Sequence, residues 1–125
     1  MKKNFIGRFY FKLTDSNNLI GEFSNSGDGR IYAESADRIA ESADGIIKDS
    51  VNGNFTGTYY HTWCEYNNGI LVEGVVAELK IIANPQNFFS LTWKILNGKN
   101  DGFWGEGMLC DGMLIGDYRN FKDIV

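Results

Sequence analysis

Phe103-Trp104-Gly105-Glu106-Gly107-Met108-Leu109 and Met113-Leu114-Ile115-Gly116-Asp117-Tyr118-Arg119, joined through Cys110-Asp111-Gly112, read as the two strands of a hairpin. Both carry one phrase: an apolar pair, a glycine, a carboxylate, then an aromatic residue or glycine. Leu19-Ile20-Gly21-Glu22-Phe23 repeats it, and Leu71-Val72-Glu73-Gly74 is a looser copy. Alternate strand residues share a face, so the carboxylate lies with Ile20, Trp104 or Ile115 and not with the glycine. A two-residue turn at Cys110-Asp111 sets Leu109 opposite Gly112, Glu106 opposite Ile115 and Trp104 opposite Asp117. The preceding strand then brings Ile95 to Trp104 and Trp93 to Glu106. One face collects Leu91, Trp93, Trp104, Met108 and Ile115 with Glu106 and Asp117. It is the more apolar face and is expected to be the core, with Glu106, Asp117, Glu73 and Glu22 held inside it.

Working outward, the same alternation recurs along the chain. Residues 5–13 and 19–25 flank the turn Asp15-Ser16-Asn17-Asn18, and Arg30 to Ala33 is a short third strand. Residues 54–66 and 70–82 flank Asn67-Asn68-Gly69, a hairpin signal. Residues 88–96 precede the turn Asn97 to Gly102. Glu34-Ser35-Ala36-Asp37 recurs as Glu41-Ser42-Ala43-Asp44, and Ile39, Ala40, Ala43 and Ile47 fall on one helical stripe. A short helix is predicted over 35–44, capped by Ser35 and ended by Gly45. The expected fold is all-β: an antiparallel meander of about seven to eight strands closing into one small barrel or curled sandwich over residues 1–125. Closure removes exposed edges.

Composition agrees with short strands and tight turns: 125 residues, 15 glycines, one proline and 14% aromatics. The net charge of −4 with Lys and Arg scattered singly argues against nucleic-acid binding. Cys64 and Cys110 are too few for a disulfide scaffold or a zinc site, and the single His61 builds no metal cluster with them at a familiar spacing. No cofactor is expected. No apolar run has the length of a membrane span, and the apolar stretch after Lys3 is broken by Arg8 and Lys12. A cytoplasmic location with reduced thiols is expected.

Acids inside an apolar shell must be protonated, hydrogen-bonded or paired. Lys99, in Asn97-Gly98-Lys99-Asn100-Asp101-Gly102, can fold back over the sheet end where Asp117 lies. A neutral amine is a nucleophile, and a nearby Glu106 or Asp101 can carry its proton. The trio Lys99, Asp117 and a second acid resembles the isopeptide sites of bacterial pilin and adhesin domains. Lys99 with Leu114-Ile115-Gly116-Asp117-Tyr118 also resembles short bacterial β-sandwich proteins described as self-cleaving aspartic peptidases. That resemblance implies cleavage between Asp117 and Tyr118, capture of Lys99 by Asp117 as an amide, and residues 118–125 retained as a bound strand. The Asp-Thr-Gly and Asp-Ser-Gly triplets of pepsin-like enzymes are missing, so the implied substrate is the chain itself.

A second reading is a ligand-binding barrel. Gly57-Thr58-Tyr59 and Gly21-Glu22-Phe23 resemble the Gly-x-aromatic strands of the avidin and lipocalin group. That resemblance implies a pocket for a small ligand, with Trp63, Trp93, Trp104, Tyr59 and Tyr60 as candidate walls and Glu73 and Glu22 as candidate polar groups.

Overall fold

The computed structural model describes residues 6–25, 29–40, 54–67, 70–97 and 102–120. Eight strands run in order: β1 Ile6–Leu13, β2 Leu19–Asn25, β3 Ile31–Ala40, β4 Gly57–Asn67, β5 Ile70–Asn84, β6 Phe88–Ile95, β7 Gly102–Cys110 and β8 Met113–Asn120. Each pairs antiparallel with the next, and β8 returns to β1, so the sheet is a closed barrel. The expected all-β meander is therefore a barrel rather than a sandwich.

The predicted helix over 35–44 is overturned as far as the described residues reach. Ser35 to Ala40 continue β3: Ser35 and Ala36 pair with both β2 and β4, and Asp37, Arg38 and Ala40 pair with β4. Inside the barrel, Tyr32, Glu34 and Ala36 alternate with exposed Ala33, Ser35 and Asp37. This period of two outweighs the weak helical stripe, because two neighbouring strands satisfy the backbone of β3. Residues 41–44 lie outside the described residues.

The inward parity of the last hairpin also differs from the expected one. Cys110 pairs with Met113 and Leu109 with Leu114, so the turn is Asp111-Gly112, not Cys110-Asp111. Both turn residues have positive φ, 51° and 79°, as a type I′ hairpin requires. The β7–β8 pairs therefore shift by two positions, which keeps Glu106, Met108, Ile115 and Asp117 on one shared face. The face itself changes at β6–β7, where the pairing departs from the expected Trp93–Glu106 by three positions, an odd number. Trp93 pairs with Phe103 and Ser90 with Glu106. Leu114 and Tyr118 are buried, whereas Glu106 and Asp117 are exposed, opposite each other on the outer surface. Glu22 is likewise exposed and accepts a hydrogen bond from the Tyr10 hydroxyl at 2.9 Å. The repeated phrase thus puts its glycine on the inward parity and its acid in water.

The barrel wall needs those glycines because adjacent strands approach closely there. A Cβ on Gly21 would lie 1.8 Å from the Tyr10 carbonyl oxygen, and one on Gly116 would lie 2.0 Å from that of Glu106. The end with the β1–β2, β3–β4, β5–β6 and β7–β8 connections is filled by Phe11, Leu19, Phe55, Tyr59, Leu79 and Leu114, all fully buried. Each such side chain contributes about 1.5–3 kcal/mol on burial. Arg38 fastens this end. Its guanidinium donates to the carbonyls of Asn17, Thr56 and Asn54 at 2.9, 2.7 and 2.8 Å, and it lies 4.7 Å from the Tyr59 ring centre. The Tyr59 hydroxyl donates to the Phe55 carbonyl at 2.8 Å, and burial raises its pKa to about 12.

No helix among the described residues is long and apolar enough to cross a membrane. The outer face carries exposed Arg8, Lys12, Lys80, Lys94, Glu106 and Arg119 around the wall, and the interior is apolar.

Candidate functional site

The other half of the barrel is not filled. A cavity of about 220 Å³ lies between the rings of Phe9, Phe23, Trp63, Trp93, Phe103 and Tyr118, with Asn25 and Asn120 at the strand ends. These rings brace one another edge to face: Phe9 on Trp93 at 5.7 Å, Phe23 on Trp63 at 5.8 Å and Phe103 on Tyr118 at 5.5 Å between centroids. The Tyr118 hydroxyl donates to the Ser24 carbonyl at 3.0 Å, which ties β8 to the wall across β1.

Two polar side chains also line this cavity, Glu34 from β3 and His61 from β4. Their side chains are only 3% and 2% exposed. His61 Nε2 is 2.7 Å from Glu34 Oε1, and Trp93 Nε1 is 2.9 Å from His61 Nδ1. An indole N–H only donates, so Nδ1 accepts and the imidazole carries its proton on Nε2, donating it to Glu34. The chain Trp93→His61→Glu34 is a directed relay from a neutral ring to a carboxyl group. The barrel brings these three together because Ala77 of β5 stands between β4 and β6. Ala77 pairs with both His61 and Ile95, and its methyl leaves room for the His61 and Trp93 rings to meet.

The relay satisfies one Glu34 oxygen. The other, Oε2, is buried with no hydrogen-bond partner. Burial raises the Glu34 pKa above 4.5, against the smaller lowering by the His61 hydrogen bond and charge. A carboxyl group with a raised folded pKa binds more protons folded than unfolded, so its contribution is fully present below about pH 4.5 and is lost as pH rises through the folded pKa. Urea midpoints of wild type and Glu34→Gln, compared from acid to mildly alkaline pH, should show this. The wild type is expected to lose stability relative to the variant as pH rises. A constant difference would contradict the raised pKa.

The sequence-predicted residues divide between the two faces. Trp63 and Trp93 line the cavity and Tyr59 lies in the filled end. Trp104, expected in the wall, is on the outer parity beneath the Arg119 guanidinium, 5.6 Å from its carbon, and Tyr60 is exposed. The odd shift of the β6–β7 register accounts for both Trp104 and the acids. Asp117, with Glu106 beside it on β7, faces water, so the apolar shell expected around a Lys99–Asp117 pair is not what surrounds Asp117. Lys99 and Asp101 lie outside the described residues, as does the side chain of Glu73. Tyr118 is buried, and the Asp117–Tyr118 peptide sits in a strand paired on both sides.

Glu34 and His61 were not singled out for this role by sequence. His61 had a readable signal: in Tyr59-His61-Trp63 it is the polar member of an aromatic inward row. Glu34 fell between the predicted strand ending at Ala33 and the predicted helix starting at Ser35, so no strand face was read for it. Among the described residues no group of three His, Cys, Asp or Glu is placed to hold a metal ion. No protein-family model, curated protein or solved structure matches this chain.

Proposed function

We propose that this protein is a small-molecule-binding barrel whose ligand occupies the aromatic cavity and engages Glu34. The observation that carries this reading is the bare, buried Glu34 Oε2 in a cavity of about 220 Å³. A barrel stabilised only by packing gains nothing from such a group, since an unsatisfied buried carboxyl costs several kcal/mol. A ligand that bonds to Oε2 removes that cost. Largely apolar walls with a few placed polar groups are the usual composition of a small-molecule site, and eight-stranded barrels are wide enough to hold one small ligand. The cavity is smaller than the roughly 300–1,000 Å³ of drug-sized sites, which fits a one-ring molecule. Binding is favoured over catalysis because both nitrogens of His61 are engaged by Trp93 and Glu34 and neither is left to take a proton from a substrate.

The test uses the cavity tryptophans. In a Trp104→Phe variant the emission comes from Trp63 and Trp93 alone. Titration with 2-phenylethylamine, 2-phenylethanol and 3-phenylpropionate should give a saturable change for at least one, at about millimolar Kd or tighter. No saturable change with any of the three would contradict the reading.

A further inference from the structure

The walls and the acid together narrow the ligand class. Aromatic faces carry negative potential and attract cations, most strongly at indole rings in a desolvated site. Trp63 and Trp93 both line the cavity beside Glu34. Among the described residues, no Lys or Arg lines it. His61 does not neutralise Glu34, because its Nδ1 is occupied as an acceptor by the Trp93 indole. Among the described residues that line the cavity, the buried side-chain atom without a hydrogen-bond partner is a carboxyl oxygen, Glu34 Oε2.

We propose that the cavity takes a small organic ammonium ion with an aromatic or similarly compact apolar body, its N–H donating to Glu34 Oε2 and its charge set against the Trp63 and Trp93 rings. This rests on the binding reading above and specifies its ligand. An ammonium group satisfies three demands at once: it supplies a donor to Oε2, its charge favours the ionised form of Glu34 that burial alone disfavours, and it uses the ring faces. A neutral alcohol supplies only the donor. A carboxylate ligand sets like charge against Glu34. The apolar body fills space between Phe9, Phe23 and Phe103, away from the acid.

Calorimetric titration of 2-phenylethylamine, 2-phenylethanol and 3-phenylpropionate near neutral pH tests this on the wild-type chain. The amine is expected to bind at least about 10-fold more tightly than the alcohol, and the carboxylate most weakly, since a charge-assisted hydrogen bond is worth roughly 10- to 100-fold in affinity. In Glu34→Gln the amine should lose about that factor while the alcohol changes by no more than about threefold. Circular dichroism checks that the variant keeps the barrel, and the wild-type comparison stands without it. Alcohol binding as tightly as the amine overturns the ammonium class and leaves the binding barrel intact. Amine affinity unchanged in a folded Glu34→Gln protein overturns the role of Glu34. Failure of all three probes overturns both the class and the site.

Discussion

Replacing Gly116 with valine is expected to cost at least about 3 kcal/mol of stability, enough to leave a large unfolded fraction in a marginally stable domain. The cause is a collision with backbone, not with a movable side chain. A Cβ at Gly116 would stand 2.0 Å from the Glu106 carbonyl oxygen and 2.8 Å from the Gly107 Cα. Relief requires β7 and β8 to separate where they pair from Phe103 to Cys110. Overpacking that side chains can absorb costs about 1–3 kcal/mol, and this site lacks that route. Valine at Gly112 is a useful contrast: nothing lies within 4 Å of its Cβ, so any cost there comes from its φ of 79° alone. Urea denaturation of both variants measures the difference. A Gly116→Val protein as stable as wild type would contradict the close β7–β8 approach.

Arg38→Ala is expected to be the next most damaging change, at about 2–4 kcal/mol, or a melting temperature lower by roughly 10 °C. Three carbonyls lose their donor together: Asn17 in the β1–β2 turn, and Asn54 and Thr56 ahead of β4. Those groups hold fully buried Phe55 across the filled end, and the guanidinium also covers Tyr59. Arg38→Lys should recover only part of the loss, because one ammonium cannot span the three acceptors as a planar fork does. Thermal unfolding followed by circular dichroism reads both variants. Full recovery by lysine would show that charge alone matters at this position.

The strands were legible because alternation and turn chemistry act locally. Leu19–Asn25 and the chain from Phe88 onward came out within a residue or two of the observed elements. Parity was not legible, for a physical reason. The phrase Leu114-Ile115-Gly116-Asp117-Tyr118 is apolar on both faces, and its inward row contains glycine, so comparing hydrophobicity picked the wrong side. Exposed Ile20, Met108 and Ile115 on the outer wall make the same point. Asp111-Gly112 was readable as the turn, since a two-residue turn with both φ values positive favours Asp-Gly over Cys-Asp, but it fixes only the β7–β8 pairs. Read as the turn itself, it sets Leu109 against Leu114 and Glu106 against Asp117. Which side faces inward is set by the β6–β7 pairing of Trp93 with Phe103, and the longer connection between those strands does not specify that register. The Glu34–His61–Trp93 relay was less accessible. It joins three strands over Ala77, and only the closed barrel brings β3, β4 and β6 to one interior point.

Nuclear magnetic resonance of the isotope-labelled wild-type protein tests the central claim most directly, because it reports each indole N–H separately. On titration with 2-phenylethylamine, the account predicts saturable shifts of the Trp63 and Trp93 indole signals. The Trp93 signal should respond strongly, since its proton is bonded to His61 Nδ1 in the relay that ends at Glu34. Trp104, on the outer wall, should stay still. Saturable shifts at Trp104 with Trp63 and Trp93 unmoved, or no saturable shift at any indole, would contradict a ligand site inside this barrel.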